Sequence, residues 1–354
     1  MRIFRSILRD YPAFVRLIAI LLSLNLATLL AVRFFLRDGR PDVYLLGDSC
    51  IGNYRMDPGT RLQDFLQRME PNLCVHNWAE PGSSPLDFLL LVCKGRLISD
   101  QPYKVIITMA PDKLMGGPEN RLDEDGANLR WLSFDRTGLR IWQALTPREQ
   151  NVAVVQKVGL FLYGFTDLGR ALWISYWQWP HERHAMRHAS HHRREKIKRK
   201  VEDIGKALET TPIGNDADFA SQIRAHDAKL LLDVLRDDGV EPLVIVHPYG
   251  NPFLLAHFFS SRALAKRDSI DLRLCGWLND QHVSYLNLDS PQELRNFPDS
   301  VWDDNAHMKA AQAFYYLSQR TAGWLSTNYQ NLPHRKPAAS HAMIQTPGNG
   351  TKHD

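Results

Sequence analysis

The chain has 354 residues, 44% apolar and 23% charged, the balance of a globular protein able to bury a core as one large α/β domain with an insertion or as two small domains. Net charge is only +4, and residues 181–200, with eight Lys/Arg against two Glu, supply more than all of it, so basicity belongs to one segment and nucleic acid is not an expected partner. Cys50, Cys74, Cys93 and Cys275 have neither metal-type spacing nor a small-scaffold disulfide framework, and they read as buried thiols.

Residues 1–40 read as a tail and a transmembrane anchor. Leu17 to Val32 is apolar except for Ser23, Asn25 and Thr28, and it reaches membrane length only if Arg16 and Arg33 snorkel. A cleaved signal peptide is the competing reading, but Arg33-Phe34-Phe35-Leu36-Arg37 resembles no cleavage site. A single retained helix with the body outside the cytoplasm is therefore expected.

From residue 41 the periodicity alternates strand and helix. Strand-like runs are Val43–Leu46, Leu73–Asn77, Val105–Met109, Leu243–His247 and Val283–Leu288. Helix-like runs are Gly59–Met69, Pro85–Ile98, Asp216–Asp238 with Gly239 as its C-cap, Pro252–Lys266 and Ala306–Ser326. This pattern predicts a doubly wound, mainly parallel five-stranded α/β sheet over residues 41–326. A helical insertion at about 112–215 interrupts it, loop-like at first and then aromatic (Phe161, Tyr163, Phe165, Trp173, Tyr176, Trp177, Trp179). Its end holds His181, His184, His188, His191 and His192 among cationic side chains. These repel a dication, so no metal is expected there and a solvated face attracted to anionic surfaces is favoured. Residues 327–354 read as a disordered tail.

Two short stretches carry chemistry. Gly47-Asp48-Ser49 follows the first strand, where open α/β sheets place their ligands. Asp304-Asn305-Ala306-His307 opens the last helix. Serine becomes a nucleophile when a base takes its proton and an acid orients that base, and Ser49, His307 and Asp304 are candidates for those parts. Each half has a plainer reading, a turn for the first and an N-cap for the second. His76 and His247 read as structural histidines.

On these blocks the chain resembles the SGNH (GDSL-type) hydrolase superfamily, over about residues 41–111 and 216–326. The resemblance implies Ser49, Asp304 and His307 as catalytic residues, with the backbone N–H groups of Ser49 and Gly82 binding the oxyanion and no metal or cofactor. Gly82 comes from Asn77-Trp78-Ala79-Glu80-Pro81-Gly82-Ser83. The family's Gly-x-Asn-Asp block is absent, because Met109-Ala110-Pro111-Asp112 stands in its place. Losing one such donor costs about 10²–10³ in rate.

With the expected anchor, the architecture is similar to D-alanyl transfer and polysaccharide O-acetylation proteins. That likeness implies a serine-dependent acyl-ester hydrolase or acyltransferase on the outer face of a bacterial cytoplasmic membrane. It also implies an acylated envelope polymer or lipid as ligand and a membrane-bound O-acyltransferase as partner. The alternative is a non-catalytic SGNH-fold binding or scaffold protein of an envelope acylation complex.

Overall fold

The computed structural model describes residues 39–47, 51, 59–80, 82–99, 101–110, 121–122, 126–158, 222–247, 255–257, 259–298, 302, 308 and 311–329, with 16–17, 19–24, 26–27, 30, 202–203 and 205–206. Five strands, β1 (Asp42–Leu46), β2 (Cys74–Asn77), β3 (Tyr103–Met109), β4 (Leu243–Val246) and β5 (Ser284–Asn287), form one sheet in the order β2-β1-β3-β4-β5. Every neighbouring pair is parallel. β1 and β3 are buried at every position because both faces are covered, which is why their sequences read as continuous rather than alternating apolar runs.

Helices cover both faces. Val43, Leu45, Ile106 and Ile245 pack against α1 (Leu62–Met69) and α7 (Ala311–Tyr329). Tyr44, Leu46, Val105, Ile107 and Val244 pack against α2 (Pro85–Ile98), α4 (Ile223–Asp237) and α5 (Ser261–Asp280). The doubly wound parallel sheet expected from the sequence is therefore present. α2 is buried along most of its length, and its start is fixed locally. Pro85 occupies the first turn, Ser84 Oγ accepts from the Asp87 N–H, and Asp87 accepts from the Ser84 N–H at 3.0 Å.

The outer edge of β2 is occupied by side chains of α1. Gln67 Oε1 accepts from the Val75 N–H at 3.0 Å, while the Gln63 amide donates to the Val75 carbonyl at 3.2 Å. Gln67 also donates to the Leu73 carbonyl at 2.7 Å.

Helix boundaries depart from expectation in two places. The stretch expected as one helix over Pro252–Lys266 contains helical residues 255–257 and then α5, which starts at a Ser260 cap and runs on to Asp280. Its middle buries Lys266, Arg267 and Asp271 beside Ile270 and Leu274, so charge hides the apolar stripe. The early insertion is not loop throughout: a 3₁₀ turn (Ala127–Trp131), α3 (Arg136–Ala144) and a helical stretch at 147–158 follow one another. α4 ends as expected, with Gly239 at φ +70° and the Val240 N–H returning to Leu235. The short α6 (Pro291–Leu294) completes the set.

The expected N-terminal transmembrane helix is corrected. Among the described residues no helix is long and apolar enough to cross a membrane. The apolar run from Leu17 to Val32 spans only about 24 Å as a helix, short of the roughly 30 Å hydrocarbon core, and is bracketed by Arg16 and Arg33. Within it the Ser23 hydroxyl donates back to the Ala19 carbonyl at 2.8 Å. The single-pass topology, the membrane attachment and the envelope placement that rested on this helix fall with it. The aromatic residues 161–179, the histidines of 181–192 and the tail beyond 329 lie outside the described residues.

Gly95 shows how tightly α2 meets the sheet. A Cβ there would stand 2.5 Å from Tyr44 Cε2 and 2.9 Å from the far end of the Trp78 ring, and these two rings are stacked at 4.3 Å. Gly95→Ala is expected to lower stability by about 1–3 kcal/mol in urea denaturation. It should also alter the near-ultraviolet circular dichroism of the Tyr44–Trp78 stack.

Candidate functional site

The strand order reverses direction between β1 and β3, so the carboxyl ends of these strands flank the crevice where open α/β sheets bind ligands. Gly47 leaves β1 at this point. A Cβ on it would come within 2.9 Å of Ile51 Cγ1 and 3.1 Å of Thr108 Cβ, so only glycine lets the chain turn here against β3.

Ser49, Asp304 and His307 lie outside the described residues, but their neighbours in sequence are placed. The Gly47 carbonyl accepts from the Glu80 N–H at 3.1 Å, and the Ile51 carbonyl accepts from the Asn77 amide at 3.3 Å. The chain on each side of 48–50 is thus held to the loop after β2, which carries Gly82. At the other block, Trp302 and Met308 form an isolated antiparallel bridge. The Trp302 ring meets His247 edge-on at 5.6 Å, just beyond β4.

Gly82 adopts φ +79°, and a Cβ there would meet nothing within 4 Å. Backbone conformation rather than space demands glycine at this turn. The Ser83 N–H returns to the Glu80 carbonyl at 3.2 Å. A buried polar network behind the turn fixes it. Asn128 donates to Glu80 Oε2 at 3.1 Å and to Asp87 Oδ1 at 3.3 Å, and the Ser84 hydroxyl donates to the Arg121 carbonyl. Asn128 is buried, and both its amide hydrogens are committed to carboxylates. At the end of β3, Met109 and Ala110 offer no side-chain donor.

The sequence reading passed over Asn77, which matters for shape. Its Oδ1 accepts from the Ala79 N–H at 3.0 Å while its amide reaches Ile51, so one side chain joins the turns after β1 and β2. The available signal was its place as the last residue of an expected strand. His247 is buried, and its N–H donates to the Met109 carbonyl at 3.1 Å, which extends the β3–β4 pairing.

The expectation of a membrane-anchored serine hydrolase or acyltransferase is corrected here as well. No Ser–His–Asp triad is formed among the described residues. The groupings of His, Cys and acidic side chains found there are Asp42–Cys74–His76 and Asp268–Asp271–Asp289, neither of which contains a serine. No family model matches the chain, and the search of curated proteins returns no match.

The second grouping lies at the exit of β5. Arg267 pairs with Asp268 at 3.1 Å, with Asp271 at 3.6 Å and with Asp289. Burial, reinforced by a hydrogen bond to Asp289, pushes Asp271 up to about 9 despite Arg267. The neighbouring Asp289 carboxyl and burial together favour the protonated form of Asp271. The folded carboxyl keeps its proton to higher pH than the unfolded one, whose ordinary value is 3.8, so this group makes stability fall as pH rises from about 4 to about 9. Asp271→Asn keeps a neutral donor there and should flatten that decline. Urea denaturation at pH 5 and pH 8 is expected to show the variant gaining on the parent protein at the higher pH.

Proposed function

We propose that this chain is an SGNH-type α/β binding protein that holds an acyl-bearing ligand in the crevice between β1 and β3 without turning it over. One observation carries the reading. Two buried hydroxyls near that edge, Ser83 Oγ and Thr108 Oγ1, have no hydrogen-bond partner among the described residues. An unsatisfied buried hydroxyl costs about 1–3 kcal/mol, so each of the two suits recognition of a carbonyl or hydroxyl group. Catalysis asks for more. The stretch that would supply a side-chain oxyanion donor beside the N–H groups of Ser49 and Gly82 reads Met109-Ala110-Pro111-Asp112, without an asparagine, and Asn128 is already fully engaged. The fold alone does not assign chemistry. The SGNH type rests on Gly47-Asp48-Ser49, Gly82 and Asp304-x-x-His307, with residues 41–326 as the binding unit and 112–215 as its insertion.

A second reading, serine acyl chemistry, is favoured by a specific contact. Asp304 and His307 lie in sequence between Trp302 and Met308, and the bridge between those two is packed on His247 at the carboxyl edge. In that reading Ser49 attacks the carbonyl, His307 takes its proton, Asp304 orients the imidazole, and the N–H groups of Ser49 and Gly82 receive the oxyanion.

Fluorophosphonate labelling followed by intact mass separates the two. The binding reading expects no adduct, and p-nitrophenyl acetate turnover indistinguishable from that of Ser49→Ala. An O-acetylated oligosaccharide should raise the melting temperature of the parent protein but not of Thr108→Val. An adduct that disappears in both Ser49→Ala and His307→Ala overturns the binding reading in favour of the enzyme.

A further inference from the structure

The amino end of the same sheet gathers a different set of side chains. β1 begins with Asp42 and β2 with Cys74, and the parallel register sets these two residues opposite each other. Side chains alternate along a strand, so His76, two residues on, returns to the face of Cys74 and stands opposite Tyr44. One potential ligand atom from each of Asp42, Cys74 and His76 lies within 4.8 Å of the others. His76 Nε2 is 3.0 Å from Asp42 Oδ1, and the Tyr44 hydroxyl donates to Oδ2 of the same carboxylate at 3.3 Å. Asp42 is buried, whereas Cys74 and His76 are only partly covered.

We propose that Asp42, Cys74 and His76 form a binding site for a divalent transition metal of the zinc type. A thiolate, an imidazole and a carboxylate are the donors such ions take, and a thiolate disfavours magnesium and calcium. The spacing agrees: two ligands about 2.0 Å from a tetrahedral ion stand roughly 3.3 Å apart, close to the present His76–Asp42 separation. Tyr44 supplies the outer hydrogen bond that orients a ligating carboxylate. Binding releases the thiol proton of Cys74 to solvent, while His76 offers the Nε2 lone pair with its ring proton on Nδ1. Three protein ligands leave the fourth position to water.

The other grouping does not qualify, because the Arg267 guanidinium already sits among Asp268, Asp271 and Asp289. The proposed site is about 16 Å along β1 from Gly47, at the opposite end of the strand from the crevice. Its effect is to fasten the edge strand β2 to β1, and it is independent of what the crevice binds.

Titration of the full chain with Co²⁺ tests the proposal. One equivalent should produce thiolate-to-cobalt charge-transfer absorption with tetrahedral visible bands, and Zn²⁺ should displace it. Cys74→Ser should abolish the charge-transfer band, His76→Gln should weaken binding by at least about tenfold, and Cys50→Ser should change neither. Binding without a charge-transfer band, which histidines such as those of 181–192 would give, overturns the proposal. So does a band that follows Cys50, or no binding at all. Alkylation of the parent protein gives a readout that does not depend on the variants folding. Saturating Zn²⁺ should shield Cys74 from iodoacetamide in peptide mass analysis, and full modification of Cys74 would sink the assignment.

Discussion

The buried guanidinium of Arg121 is the constraint on which the arrangement around the sheet turns. It meets both carboxylate oxygens of Asp227 on α4 at 2.7 Å, Glu149 at 2.9 Å and the Ala144 carbonyl at 2.9 Å. Its own carbonyl receives the hydroxyl that caps α2. One residue thereby joins the insertion, a crossover helix and the turn that carries Gly82. Burial pushes the Asp227 carboxyl up even as Arg121 pulls it down, whereas Arg121 is held above its ordinary value despite burial. The two shifts point in different directions on whether the pair is ionised, and the bidentate geometry decides for an ion pair. Removing one partner of such a pair typically costs about 3–5 kcal/mol, since it strands the other charge.

The sheet was legible in the sequence because parallel strands covered on both faces show as short, uninterrupted apolar runs between turns. Val43–Leu46 and Leu243–Val246 are the plainest cases. Legibility failed where charge enters the interior. α5 buries Lys266, Arg267 and Asp271, and a pattern rule that expects polar residues to face water stops the helix too soon. It failed again for α3, whose Asp135 cap accepts from the Gly138 N–H but lies in a segment with few aliphatic residues. The apolar run at Leu17–Val32 misled in the opposite sense, since its composition is that of a span while its length at helical rise, about 24 Å, falls short of the hydrocarbon core.

Of the candidate site, the backbone part was the more readable. Gly47 and Gly82 are each imposed by a local demand, one steric and one conformational, and such demands leave glycines at fixed places in a sequence. The polar supports were not readable. Asn77, Asn128 and Glu80 act through partners 26 to 48 residues away, and no local spacing announces such pairs. The edge that holds the crevice is shaped mainly by turns, and its side chains chiefly serve to hold those turns still.

The glutamines of α1 have a consequence for the company this sheet can keep. An unpaired strand edge is a template for another strand, and β2 is such an edge. With Gln63 and Gln67 bonded to both polar groups of Val75, a second chain must first displace two amides that mimic a neighbouring backbone. The same helix that covers one face of the sheet therefore also guards its flank against polymerisation. Shortening either side chain by a methylene, as in Gln67→Asn, would reopen that flank while leaving the apolar contacts of Leu62 and Leu66 in place.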